Sequence, residues 1–174
     1  MKAIAVKWLT TPTKDNTGAL KLNLIGGQVE MPFLAETRNV DVSQVPIGEE
    51  CEYEMLLEAM EINIYENEQD FDANDTSKMA AQALIPIALN FYESNKPDDG
   101  LPITAAVKAS VLVTEVCEDP AAVGFESGDL VAETDCLGYK FYLVIPPERT
   151  DAKSLSAGNI ISGIFFVWAW SAEE

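Results

Sequence analysis

Gly158-Asn159-Ile160-Ile161-Ser162-Gly163-Ile164-Phe165-Phe166-Val167-Trp168-Ala169-Trp170 is the stretch whose reading decides the fold. After the Ser162-Gly163 interruption, large apolar residues fall on both parities: Phe165 and Val167 on one, Ile164, Phe166, Trp168 and Trp170 on the other. Successive side chains of a strand point to opposite faces, so a strand of this kind has to be covered on both. β-Branched and aromatic residues dominate it, and its apolar part is too short for a helix reading to be preferred. The stretch predicts the central, most buried strand of a mainly β domain.

Working outward, the same period-2 logic finds more strands. Ile4, Val6 and Trp8 alternate with Ala5 and Lys7, and Leu20, Leu22 and Leu24 alternate with Lys21 and Asn23. Gly26-Gly27 then leads to Val29, Met31 and Phe33, which predicts a hairpin and a three-stranded meander over the first 34 residues. Pro32 has no ladder donor and places its strand at an edge or a bulge. Polar residues from Thr10 to Gly18 predict a loop.

Residues 50–65 admit two readings. Glu50, Glu52 and Glu54 alternate with Cys51, Tyr53 and Met55, and the apolar parity changes after Ala59 to Met60, Ile62 and Ile64. A bulged strand gives that parity change. Tyr53, Leu56, Leu57, Met60 and Ile64 also sit at helical spacing. The glutamate alternation and the Ile62-Asn63-Ile64-Tyr65 tail favour the bulged strand.

Beyond it, Glu66 to Ser77 reads as an acidic loop, Met79 to Leu84 as a short helical turn limited by Pro86, and Ile85, Ile87 and Leu89 as a strand. Asn95 to Gly100 is a turn by composition. Alternation from Ile103 to Val113 gives a long strand, and Leu130–Cys136 and Tyr139–Ile145 make a tight hairpin around Leu137-Gly138. Seven to nine strands joined mostly as hairpins predict an antiparallel β-barrel, OB-like, or a sandwich, with at most one or two short helices, as a single domain over 1–174. No internal repeat stands out in the residue pattern.

The chain has 174 residues, enough to bury a core without metal or disulfide support. Its 29 acidic residues against 11 basic ones give a formal net charge of −18. Such a field repels phosphate backbones and anionic lipid, so nucleic acid and membranes are disfavoured as partners, while basic proteins are attracted. There is no histidine, and Cys51, Cys117 and Cys136 form no Cys-x-x-Cys pair. That removes Ser-His and Cys-His nucleophiles and His-based zinc sites, and no Walker or dinucleotide glycine motif is present. The sequence therefore predicts no cofactor, structural thiols and a cytoplasmic setting. Lys7 interrupts the first residues too early for a secretory leader, and the last strand is too short and too polar at its start for a membrane span.

Ile62-Asn63-Ile64-Tyr65-Glu66-Asn67-Glu68 and Gly158 to Phe166 resemble small bacterial proteins of β-barrel, OB-like character, which run from an acidic middle strand to a terminal Gly-Asn-Ile-Ser-Gly-aromatic strand. The resemblance implies a bacterial origin and a barrel. It brings no reaction, cofactor or catalytic residue.

From Asn39 to Ser77 there is no Lys or Arg, and 12 of the 29 acids fall in that interval. Glu50, Glu52, Glu54 and Glu58 are the candidate docking residues for a basic protein partner, in an inhibitor, immunity or accessory role. If the first three share a strand face, their carboxylates are spaced about 7 Å apart. A charged edge strand that resists aggregation would present the same pattern. Asp70, Asp72 and Asp75 begin like a calcium loop, but Asp75 stands where an EF-hand needs Gly and Ala81 where it needs Glu, leaving at most an irregular cation site. Ten aromatics, Trp8, Tyr53, Tyr65, Phe91, Tyr92, Tyr139, Phe141, Tyr142, Trp168 and Trp170, could form a stacking platform, although core packing is the simpler use. A carboxylate-dependent hydrolase or small-ligand binder with its site in a barrel mouth, and a structural or assembly protein, are the competing functions.

Overall fold

The computed structural model describes residues 1–8, 18–37, 45–87, 89, 105–126 and 128–171. Nine strands form one sheet: β1 Lys2–Trp8, β2 Gly18–Leu24, β3 Met31–Thr37, β4 Glu50–Tyr65, β5 Ala83–Ile85, β6 Ala106–Val116, β7 Leu130–Cys136, β8 Tyr139–Ile145 and β9 Ile160–Ser171. One α-helix, α1 Glu68–Asn74, and two 3-10 turns at Pro120–Val123 and Pro147–Arg149 complete the described elements. No helix among the described residues is long and apolar enough to cross a membrane.

β4 and β9 run antiparallel along nearly their whole lengths at the middle of the sheet. The ambiguity over residues 50–65 resolves to a strand, and its register shifts between Ala59 and Glu61, where the apolar parity changes. On its other side β4 pairs first with β1, antiparallel through Lys2↔Glu52 and Ile4↔Glu50, and then with β8, parallel through Leu56↔Tyr142 and Glu58↔Val144. β9 does the same thing with different partners. It pairs antiparallel with β6 through Ser110↔Ser162 and Leu112↔Ile160, and then parallel with β3 through Glu36↔Trp168 and Thr37↔Ala169.

The correspondence is register-matched. In β1–β2, Ala5 faces Leu22 and Lys7 faces Lys21 across a register shift; in β6–β7, Val113 faces Thr134 and Glu115 faces Glu133 across a shift at the same place. Leu22↔Phe33 in β2–β3 matches Thr134↔Phe141 in β7–β8. The matched pair Phe33 and Phe141 meet in the core, ring centroids 6.1 Å apart. The chain is thus two four-stranded units, β1–β4 and β6–β9, each lending its last strand to the other. Two pairing circuits result, β1-β2-β3-β9-β4 and β6-β7-β8-β4-β9, and both return to their first strand. The residue pattern hid this repeat because matched positions share parity and register but seldom residue type.

One continuous core fills the inward parities: Leu20, Leu22, Phe33, Met55, Leu57, Val107, Val111, Phe141, Leu143, Phe165 and Val167 among others. β9 is buried on this face by Ile161, Phe165, Val167 and Ala169 and half-buried on the other by Phe166, Trp168 and Trp170, as its two-parity composition requires.

Several local expectations are corrected. Gly26-Gly27 does not form a two-residue hairpin, since β2 ends at Leu24, β3 begins at Met31, and Val29 is exposed. Residues 68–74 form α1 instead of a loop, because Asn67 caps its first turn by accepting from the Asp70 N–H and Phe71 seats the helix on Tyr65. Residues 79–84 form no helical turn: Ala83–Ile85 extend along β6, and that strand stops before Ile87. The hairpin at Leu137-Gly138 is as expected, with both turn residues at positive φ, 58° and 84°. The expected loop at Thr10–Gly18 and the turn at Asn95–Gly100 lie, apart from Gly18, outside the described residues.

Candidate functional site: an acidic and aromatic sheet face

The outward parity of β4 carries Glu52, Glu54, Leu56 and Glu58, and its cross-strand partners carry aromatics. Glu54 faces Trp170, Leu56 faces Trp168 on one side and Tyr142 on the other, and Tyr142 faces Glu133. Because paired residues of a ladder point to the same face, these side chains form one surface running from β9 across β4 and β8 to β7. Leu56, Val131 and Val144 are its buried floor, with Tyr142, Trp168, Trp170 and Phe125 packed against them and half-exposed.

The acids and the aromatics are joined. Trp170 Nε1 donates to Glu54 Oε2 at 2.6 Å, and Trp168 Nε1 donates to Glu58 Oε2 at 2.8 Å. Charge-assisted bonds of this kind hold both members in place better than neutral ones. The Tyr142 and Trp170 rings lie nearly parallel, 11° apart in plane, with centroids separated by 6.4 Å. Burial pushes the Tyr142 phenol above its ordinary pKa, and the charges of Glu54 and Glu133 push it further, so both carboxylates act on that ring.

The four docking candidates are not equivalent. Glu52 and Glu54 are exposed on this face and Glu58 is half-buried in it. Glu50 lies at the β1 end and pairs with Lys2 at 2.7 Å. That pairing raises the Lys2 pKa, first through the hydrogen bond and then through the charge of Glu50. Glu133 was missed in the sequence because nothing in the β7 pattern says which strand lies next to β8.

Two of the three cation-site candidates, Asp70 and Asp75, hold local structure. Asp70 accepts from the Glu66 N–H and from the Asn74 side chain, Asp72 is exposed on α1, and Asp75 accepts from the Tyr65 hydroxyl and from Ser77. Among the described residues no group of three His, Cys, Asp or Glu side chains could hold a metal ion. The cysteines are unpaired, Cys136 buried and Cys51 and Cys117 half-buried. Of the aromatic candidates, Tyr53, Tyr139 and Phe141 belong to the core, while Phe91 and Tyr92 lie outside the described residues, as does the Trp8 side chain.

Compared with protein-family models, curated proteins and solved structures, the chain matches none.

Proposed function

We propose that this is a non-enzymatic binding protein whose outward β4 face docks a basic protein partner. The observation that carries the reading is the presentation of Glu52, Glu54 and Glu58 on one face at the middle of the sheet, beside the half-buried Tyr142, Trp168 and Trp170. A net charge of −18 steers a cationic partner towards the molecule, and the half-buried aromatics beside the glutamates supply the desolvated centre that a tight interface needs. Both pairing circuits are read as closed, OB-like barrels, supported by the return of each to its first strand and by the buried inward parities. Free thiols accord with a reducing, cytoplasmic setting.

The test is binding of a lysine- and arginine-rich peptide by calorimetry at about 0.1 M and about 1 M salt, where the screening length falls from about 10 Å to about 3 Å. Binding that weakens with salt and is lost in the Glu52→Gln, Glu54→Gln double variant supports the reading. Binding insensitive to both overturns it.

A further inference from the structure

The aromatic pair on the docking face has a chemistry of its own. Glu54 and Glu133 approach the Tyr142 ring from the two strands that flank it, and the Trp170 ring lies parallel to that of Tyr142. Trp170 is fixed by its bond to Glu54, and both rings keep part of their surface exposed. Glu115 extends the acidic row from the far side of Glu133. In the matched half of the fold the corresponding positions are Leu34 for Tyr142, Lys21 for Glu133 and Lys7 for Glu115. The acid-flanked aromatic pair therefore has no counterpart at the matched positions and is not a by-product of the repeat.

We propose that the Tyr142–Trp170 pair, with Glu54 and Glu133 at its margins, is the recognition point for an arginine side chain of the basic partner. This rests on the docking reading above and names its central contact. A guanidinium is planar, stacks on an aromatic face and is weakly hydrated, so it can lie on the rings while its N–H groups reach a carboxylate. A lysine ammonium is a compact, strongly hydrated charge that gains less from the rings. The same rings could stack on the bases of a single strand, but Glu54, Glu133 and Glu115 would repel its phosphates.

Calorimetry should compare a short arginine-containing basic peptide, the same peptide with lysine at every arginine, and oligothymidylate, against the intact protein and its Trp170→Leu, Tyr142→Leu and Glu133→Gln variants. The expected result is an arginine peptide that binds about fivefold tighter than the lysine peptide, the scale of an exposed cation–π contact. Trp170→Leu and Tyr142→Leu abolish that preference by weakening the arginine peptide more than the lysine peptide, while Glu133→Gln weakens both peptides and, being isosteric, keeps the fold. Equal binding of the two peptides overturns the arginine assignment. If that binding is still lost in the Glu52→Gln, Glu54→Gln variant, the docking reading survives without it. If neither peptide binds, both fail. Oligothymidylate binding that requires Trp170 and Tyr142 would replace the arginine by a nucleic-acid strand.

Discussion

Leu57 and Val167 face each other across the β4–β9 ladder at the one position that the repeat maps onto itself. Leu57 also faces Leu143 of β8, and Val167 donates its N–H to the Ala105 carbonyl just before β6. The pairs on either side, Leu56↔Trp168 and Glu58↔Phe166, exchange under the same relation. Both side chains are buried in the core that the two units share.

Leu57→Ala should therefore be among the most damaging truncations in the chain, costing about 2–5 kcal/mol through lost burial and the cavity left behind. Urea unfolding checks it. Because Leu57 and Val167 line the same space, the double variant with Val167→Ala should depart from additivity by about 0.5–3 kcal/mol. An additive pair would mean that the two units pack independently.

Gly163 lies where β9 crosses the β4 bulge. A Cβ there would collide with the Glu61 carbonyl oxygen and come within 2.8 Å of Ile62 Cα, and neither of these backbone atoms can rotate away. Gly163→Ala should cost about 1–3 kcal/mol or more by overpacking. Gly158 provides the control: its φ of +97° strains any other residue, but a Cβ there meets nothing within 4 Å. Gly158→Ala should be the milder variant, with the order read from urea midpoints.

Gly163 also marks the limit of what the sequence disclosed. Strand existence was legible because alternation survives in Ile4–Trp8, Leu20–Leu24, Leu130–Cys136 and Tyr139–Ile145, and the bulge was legible as a parity change at Ala59. The pairings within the β1–β3 meander and the β7–β8 hairpin were legible from their turns, but the partners of β4 and β9 were not, since a period-2 pattern is silent about which neighbour supplies its hydrogen bonds. Helix α1 escaped notice because it is short and acidic and is held by one cap and one buried ring, Phe71. The glutamates of the proposed docking face were legible from their alternation along one strand. The aromatic half of the face, and Glu133 with it, became visible only once β9, β4, β8 and β7 were set side by side.

Alkaline pH should unfold the protein over a definable window. Burial pushes the Cys136 thiol up to about 12 from 9.0, with the charge of Asp135 adding to it, and burial pushes the Tyr53 phenol up to about 12 from 10.0, with Cys51 adding to it. Above pH 9 to 10 the unfolded chain loses these protons while the native state keeps them, so stability is full below pH 9, falls as pH rises, and has lost this contribution once pH passes about 12. Unfolding free energies measured by urea from pH 8 upward should show that descent. Cys136→Ala should make the slope shallower between pH 9 and 12, even if it lowers stability at neutral pH by leaving a small cavity.

The two matched hairpin ends hold each other through Tyr139. Its hydroxyl lies 3.0 Å from the Leu24 carbonyl and 2.5 Å from the Val29 carbonyl, and its ring covers Gly27. One hydroxyl proton serves one acceptor at a time, so Tyr139→Phe removes a single hydrogen bond, at a cost of about 0.5–1.5 kcal/mol. Gly27→Ala should cost more, because the new Cβ would lie 2.5 Å from the ring and 2.9 Å from the Leu137 carbonyl, forcing apart the contact through which Gln28 N–H donates to Leu137 at 2.9 Å. Gly27 has no positive φ, so the penalty comes from contact and not from backbone conformation. Combining Gly27→Ala with Tyr139→Phe should leave most of that penalty, since the phenyl ring still occupies the space. Combining it with Tyr139→Ser should relieve the ring clash, and in urea titrations the Gly27 penalty should then be smaller than in the intact background.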